Sequence, residues 1–241
     1  MTAAYATARR LLGEPSPGPL RRLLGKLLSR YLRLTGRARY DRCQMEDIQG
    51  TPIVILPTVF NPRVLRSGAF FAKTIATGRL GAGGDVLDLG TGSGVCAVFA
   101  SRHARRVVAV DINRAAVRCA GINAALNDAA NVECRPGDLF GAVPGERFDA
   151  IFFNPPFYVG EPADERDAAW RSPDGAERFA RELDAHLSPG GRAWLLLSSH
   201  GDACPRYVTE LEQRGFALCV HASREYINER VTILQVCRAG G

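Results

Sequence analysis

The sequence predicts an α/β fold built on a seven-stranded, mostly parallel sheet whose last strand runs antiparallel. Three observations carry that expectation. From residue 85 onward, short apolar runs alternate with helical stretches of about ten to fifteen residues, which is the pattern of successive βαβ units. A glycine-rich turn follows the first of those runs. The last two runs are joined only by HASREYINE, a link without room for a crossover helix, so they can pair antiparallel.

The apolar runs place strands at DVLDL (85–89), RVVAV (106–110), NVECR (131–135), FDAIFF (148–153), RAWLLL (192–197), FALCV (216–220) and RVTILQV (230–236). Helices fall near 94–102, 114–127, 174–187 and 204–214, with another at 66–78 ahead of the first strand. A length of 241 residues with 46% hydrophobic content suits one catalytic domain with a proper core.

Upstream of this repeat, GEPSPGP at 13–19 is a Pro/Gly breaker. It precedes a stretch in which Arg21, Arg22, Lys26, Arg30 and Arg33 interleave with Leu20, Leu23, Leu24, Leu27 and Leu28, an amphipathic basic helix. Helical period is lost over 35–50, and TPIVILP at 51–57 reads as a short strand or hairpin arm. Residues 1–47 hold ten Lys/Arg against four Asp/Glu, while the remainder holds 21 of each, so the net charge of +6 resides in the N-terminal segment. The chain therefore divides into a basic helical extension, 1–47, and a catalytic domain, 48–241. The extension is open to three uses: packing its leucines on the domain, contacting RNA or another acidic partner, or lying on a membrane surface.

No run of 18 apolar residues and no secretory leader pattern occurs, which points to a cytoplasmic protein without a membrane span. The seven cysteines show no metal-ligand spacing and read as small buried hydrophobes, and the four histidines take no role. No metal is expected.

The strand DVLDL runs directly into Gly90-Thr91-Gly92-Ser93-Gly94 and then a helix. Glycine at alternate positions permits positive φ and a close backbone approach to a ligand in front of a helix N-terminus. Asp111 ends the next strand about 20 residues on, where a carboxylate can accept both hydroxyls of a ribose. After the third strand, Asp138 can accept from an adenine amino group while the Leu139 N–H meets a ring nitrogen. This series, DLGTGSG (88–94), Asp111 and Asp138, resembles the cofactor motifs of class I S-adenosylmethionine methyltransferases, a Rossmann-like fold class. The resemblance implies that Asp88 lies near the methionine part and that Gly90, Thr91, Gly92 and Gly94 pass under the ribose and methionine chain. It also implies that Asp111 and Ile112 hold the nucleoside while Asp138 and Leu139 take the adenine. S-adenosylmethionine would be the cofactor and S-adenosylhomocysteine its product. The GxGxG spacing, unlike GxGxxG, disfavours a nicotinamide site.

FDAIFF ends in Asn154-Pro155-Pro156-Phe157, at the carboxyl end of the fourth strand and hence on the ligand side of the sheet. An amide or aromatic amine nitrogen is a poor nucleophile because its lone pair is delocalised. The Asn154 side-chain oxygen and the Pro155 carbonyl can hold its two hydrogens and turn the lone pair toward a methyl group. Pro156 helps fix the direction of the turn, and Phe157 offers a flat face for stacking. Asn154 thus serves both the reacting nitrogen and the cofactor end of the site.

NPPF resembles the (D/N/S)PP(Y/F) signature of amino-methyltransferases. More narrowly, residues 50–238 are similar to the HemK (PrmC) glutamine methyltransferases and to small-domain RNA N-methyltransferases. That implies methyl transfer to a planar nitrogen, a protein glutamine carboxamide first. A nucleobase exocyclic amine or a small molecule or peptide remain as alternatives. The chain departs from the release-factor enzymes in its shorter, basic N-terminus and in Asn61-Pro62-Arg63, which is followed by VLRSG without acidic residues. Residues 158–173, with Tyr158 and Trp170, form either an acceptor lid or an ordinary crossover.

Overall fold

The computed structural model describes residues 3–13, 42–63, 66–164, 167–227 and 229–239. The expected basic helix around 20–34 lies outside the described residues. The chain forms α1 (Ala3–Leu12), a hairpin of β1 (Gln44–Ile48) and β2 (Thr51–Ile55), and α2 (Ser67–Ile75). The repeating part follows as β3 (Asp85–Leu89), α3 (Val95–Ser101), β4 (Arg106–Asp111), α4 (Arg114–Leu126), β5 (Val132–Pro136) and β6 (Phe148–Phe153). After the short strands β7 (Tyr158–Val159) and β8 (Arg171–Ser172) come α5 (Gly175–His186), β9 (Leu187–Ser198), α6 (Cys204–Gln213), β10 (Phe216–Glu225) and β11 (Arg230–Arg238).

Seven strands form one sheet in the order β10-β11-β9-β6-β3-β4-β5. The pairs among β9, β6, β3, β4 and β5 are parallel, and β11 runs antiparallel to both β9 and β10. This is the expected Rossmann-like topology with a reversed last strand. Strand order turns back between β3 and β6, so the crevice for a ligand opens at their carboxyl ends.

The central strands are apolar on both faces because helices cover both. Successive residues alternate between two cores. Leu87, Leu89, Phe153, Leu195 and Leu197 pack under α1, α5 and α6, while Val86, Phe152, Trp194 and Leu196 pack under α2, α3, α4 and the hairpin. All these side chains are buried, which makes the strand registers over the site hard to slip.

The structure differs from expectation in four places, one being β10, which runs past the expected end at residue 220 to Glu225. The N-terminal AAYATARRLL is a helix whose Ala8 and Leu12 enter the first core; the stretch is short, and contact with α6 and β11 stabilises it. QMEDI is the first arm of the hairpin, so that arm crosses the expected boundary at residue 47. β9 starts at Leu187, directly after α5, and its pairing with β6 shifts register between Phe148 and Ala150. Gly191 permits that shift, since a Cβ there would stand 2.8 Å from the Phe148 carbonyl.

Candidate functional site

Sheet order alone brings the candidate residues together. Asn154 follows β6, the glycine turn follows β3, Asp111 ends β4 and Asp138 follows β5, so the four groups stand side by side along one edge.

The glycine turn is held from within. Thr91 N donates to Val110 O at 2.9 Å, Gly94 N donates to Thr91 O at 2.8 Å, and the Thr91 hydroxyl donates to Asp88 Oδ2 at 2.6 Å. Gly90, Gly92 and Gly94 have φ of 62°, 56° and 79°, a region that other residues enter only at a cost. Their surroundings separate them into two roles. A Cβ on Gly94 would stand 2.6 Å from Ala120 Cα, so this glycine lets α3 and α4 close on each other. A Cβ on Gly92 would meet nothing nearer than 4.0 Å, and one on Gly90 only the Phe153 ring at 3.7 Å. That face of the turn is open, as a ligand cradle requires.

Asp88 is buried beneath the turn. Burial, opposed by the hydrogen bond from Thr91, with the Asp111 charge adding to it, raises its pKa to about 7. Asp111 accepts from Gly92 N at 2.8 Å and Asn113 N at 2.9 Å. Burial raises its pKa despite those bonds. The backbone donors at Gly92, Ile112 and Asn113 still leave lone pairs on the carboxylate for hydroxyl groups. Ile112 beside it is 59% exposed, a large apolar side chain without cover at the mouth of the crevice. Asp138 is exposed and pairs with Arg178 of α5 at 2.8 Å. Leu139, at φ 48°, starts a short 3-10 turn and packs partly against the first core. A ligand group at Asp138 would share the carboxylate with Arg178.

In the NPPF turn, Pro155 is buried and Asn154, Pro156 and Phe157 are half-buried. The Asn154 side-chain oxygen is itself buried and has no hydrogen-bond partner. A buried amide oxygen without a donor costs about 1–3 kcal/mol, and such an orphan beside an open crevice suits an incoming N–H. Phe157 packs between the two cores, and its carbonyl accepts from Ala203 N at 3.0 Å. Gly201 passes so close that a Cβ there would lie 2.4 Å from that carbonyl, so the turn is pinned against the start of α6.

The segment after NPPF carries two short strands. β7 and β8 pair in parallel, Tyr158 N donates to Trp170 O at 2.9 Å, and Val159 N donates to Asp202 Oδ1 at 2.8 Å. The Trp170 ring meets Phe60, centroids 5.1 Å apart, so the segment leans on the chain that follows the hairpin. Sequence reasoning flagged Tyr158 and Trp170 but missed Phe60. It also missed Glu229, whose carboxylate takes the Ser198 hydroxyl at the end of β9. No spacing links Phe60 or Glu229 to NPPF; the pairing of β9 with β11 brings Glu229 to Ser198, and the packing of the post-hairpin loop on Trp170 brings in Phe60.

The family model described as methyltransferase small domain matches residues 50–214. The chain is 30% identical over 203 residues to a protein of Methanocaldococcus jannaschii described as a protein N5-glutamine methyltransferase, a match covering 80% of this chain and 98% of that one. It is 33% identical over 151 residues to the ribosomal RNA small subunit methyltransferase C of Alcanivorax borkumensis, covering 62% of this chain but 43% of the relative. Among solved structures, the ribosomal protein L11 methylase of Lactobacillus delbrueckii subsp. bulgaricus superposes with a TM-score of 0.56 at 20% identity, over 75% of this chain and 82% of that one.

Proposed function

The chain belongs to the methyltransferase small-domain family and is an S-adenosylmethionine-dependent methyltransferase, and on that premise we propose that it transfers the methyl group to the carboxamide nitrogen of a protein glutamine. The orphaned Asn154 oxygen carries the reading, because a primary amide brings the N–H donor that this buried acceptor lacks. The relative that matches over nearly its whole length is described as acting on glutamine, while the ribosomal RNA enzyme matches over less than half of its own.

The residues at the edge fit the cofactor. The open face of Gly90 and Gly92 leaves room for it, Asp111 has lone pairs for ribose hydroxyls, and exposed Ile112 can cover an adenine face. Thr91 holds the turn, and buried Asp88 sits where a cationic ammonium group would favour its ionised form. Asp138 and the Leu139 N–H would take the adenine edge, with Arg178 adjusting to share Asp138.

S-adenosylmethionine supplies an electrophilic methyl on a sulfonium. The chain's task is to aim a weak nucleophile at it. The Asn154 oxygen and the Pro155 carbonyl accept the two amide hydrogens, and the lone pair is thereby turned out of conjugation and toward the methyl. Pro155, buried and without an N–H, and Pro156 hold the two acceptors in register. Phe157 supports the amide plane from a ring fixed between the two cores. As the N–C bond forms, the amide proton becomes acidic and leaves to water, so no strong base is needed. In this reading residues 48–241 form the catalytic domain and 1–47 the extension, of which α1 is seated on the body, and the basic residues of the extension would recruit the acceptor protein.

Asn154→Ala tests the assignment. S-adenosylhomocysteine should bind within about threefold of wild type, while methylation slows by roughly two to three orders of magnitude. Labelled methyl from S-adenosylmethionine, given with wild-type enzyme to fractionated cell extract, should follow protein and be recovered as methylglutamine. Label in RNA would overturn the glutamine reading, and a normal rate in Asn154→Ala would remove the role given to NPPF.

A further inference from the structure

Asn123 lies fully buried in the last turn of α4, where an asparagine must find partners for a carbonyl and an amide group. Its oxygen accepts from Val54 N at 2.7 Å, and its nitrogen donates to Val54 O at 2.6 Å. Toward β2 it thus stands in for a neighbouring strand. The same nitrogen also donates to Ser93 O at 2.8 Å, inside the glycine turn.

Ser93 precedes Gly94, the N-cap of α3, and the helical ladder opens one residue later, with Val98 N donating to Gly94 O. The Ser93 carbonyl therefore falls outside the helix and takes its donor from a side chain. The Ser93–Gly94 peptide is gripped at both ends, its carbonyl by Asn123 and its N–H by Thr91 O at 2.8 Å.

We propose that Asn123 is a positioning residue of the cofactor site: through the Ser93 carbonyl it sets the orientation of the glycine turn, and with it the affinity for the cofactor. The inference rests on the reading of that turn as the cofactor cradle. A role confined to docking the hairpin would not call for the bond to Ser93. Hairpin docking has other support, since Asn127 donates to Pro52 O at 3.0 Å and the Cys119 thiol to Val54 O at 3.2 Å. Cys119, Asn123 and Asn127 are spaced by four and line one face of α4 toward β2. Of the three, only Asn123 also holds the turn.

The test compares Asn123→Ala with Asn127→Ala, which removes the bonds to Pro52 O and to the Asn123 backbone carbonyl but none to the turn. S-adenosylhomocysteine dissociation constants are measured calorimetrically at a temperature where urea titration shows each protein folded. Asn123→Ala should weaken binding about tenfold or more, as expected for loss of one buried bond that orients the site. Asn127→Ala should bind within about twofold of wild type. If Asn123→Ala gives no cooperative unfolding, Asn123→Asp takes its place. It keeps an acceptor for Val54 N–H but turns a second oxygen toward Ser93 O, and at pH 8 it should show the same loss. Wild-type protein that fails to bind S-adenosylhomocysteine would refute the cradle itself. Wild-type binding together with unchanged affinity at position 123, or with an equal loss in Asn127→Ala, would overturn this inference alone.

Discussion

Replacing Asp88 by asparagine should change how the stability of the cofactor-free protein responds to pH. Burial, countered by the Thr91 hydroxyl and reinforced by the Asp111 charge, places the Asp88 pKa at about 7 against an ordinary value of 3.8. A carboxyl raised in this way keeps its proton in the folded chain while the unfolded chain has already lost it. Stability therefore falls as pH rises between those two values and levels off above the folded one. At pH 8 the ionised, buried group costs about 4 kcal/mol relative to an unperturbed one. About 2 kcal/mol of that appears between pH 5.5 and pH 8. Asparagine cannot ionise, keeps an oxygen for the Thr91 hydroxyl, and gives up the second acceptor that faces the Ala97 N–H. That loss costs about 1–3 kcal/mol at every pH, so the diagnostic quantity is the change with pH. Thermal unfolding followed by circular dichroism should show the wild type losing about 4–8 °C more than Asp88→Asn between pH 5.5 and pH 8, at about 2–4 °C per kcal/mol for a chain of this size. Parallel pH profiles for the two proteins would refute the claim that Asp88 is a strained acid beneath the turn.

Asp111→Ala should abolish most of the rise in melting temperature that S-adenosylhomocysteine produces in the wild type, because the ribose hydroxyls lose their buried acceptor; an undiminished thermal shift would remove Asp111 from the cofactor site. Leu12→Ala, at a side chain only 3% exposed beneath α1, should lower stability by about 2–4 kcal/mol in urea titration and leave the turnover of folded enzyme near that of wild type. A neutral result would mean that α1 is not part of the body.

Much of the site was legible because its signals are local. GTGSG needs positive φ at 90, 92 and 94, and only glycine supplies that without strain, so the turn is written in three residues. NPPF at the end of an apolar run puts Asn154 just past β6, and the parallel pairing of β6 with β3 sets that end beside the glycine turn. The helices α3 to α6 and the core strands matched the expected periods within a few residues, because an amphipathic or doubly buried pattern extends over each whole element.

What the sequence by itself determined, then, is the alternation of strands and helices, the reversed last strand, the glycine turn and the NPPF turn. Each of these follows from backbone geometry or from the period of burial within a short stretch. Only the tertiary structure decided which distant groups complete the edge. Asn123 reads as one polar residue in a helix until it meets Val54 and Ser93, 69 and 30 residues away. Phe60 becomes a neighbour of Trp170, and Glu229 of Ser198, only in the folded chain. α1 is a helix because α6 and β11 offer its Ala8 and Leu12 a place to bury. A ten-residue segment cannot outweigh the entropy of its own ordering until such contacts exist.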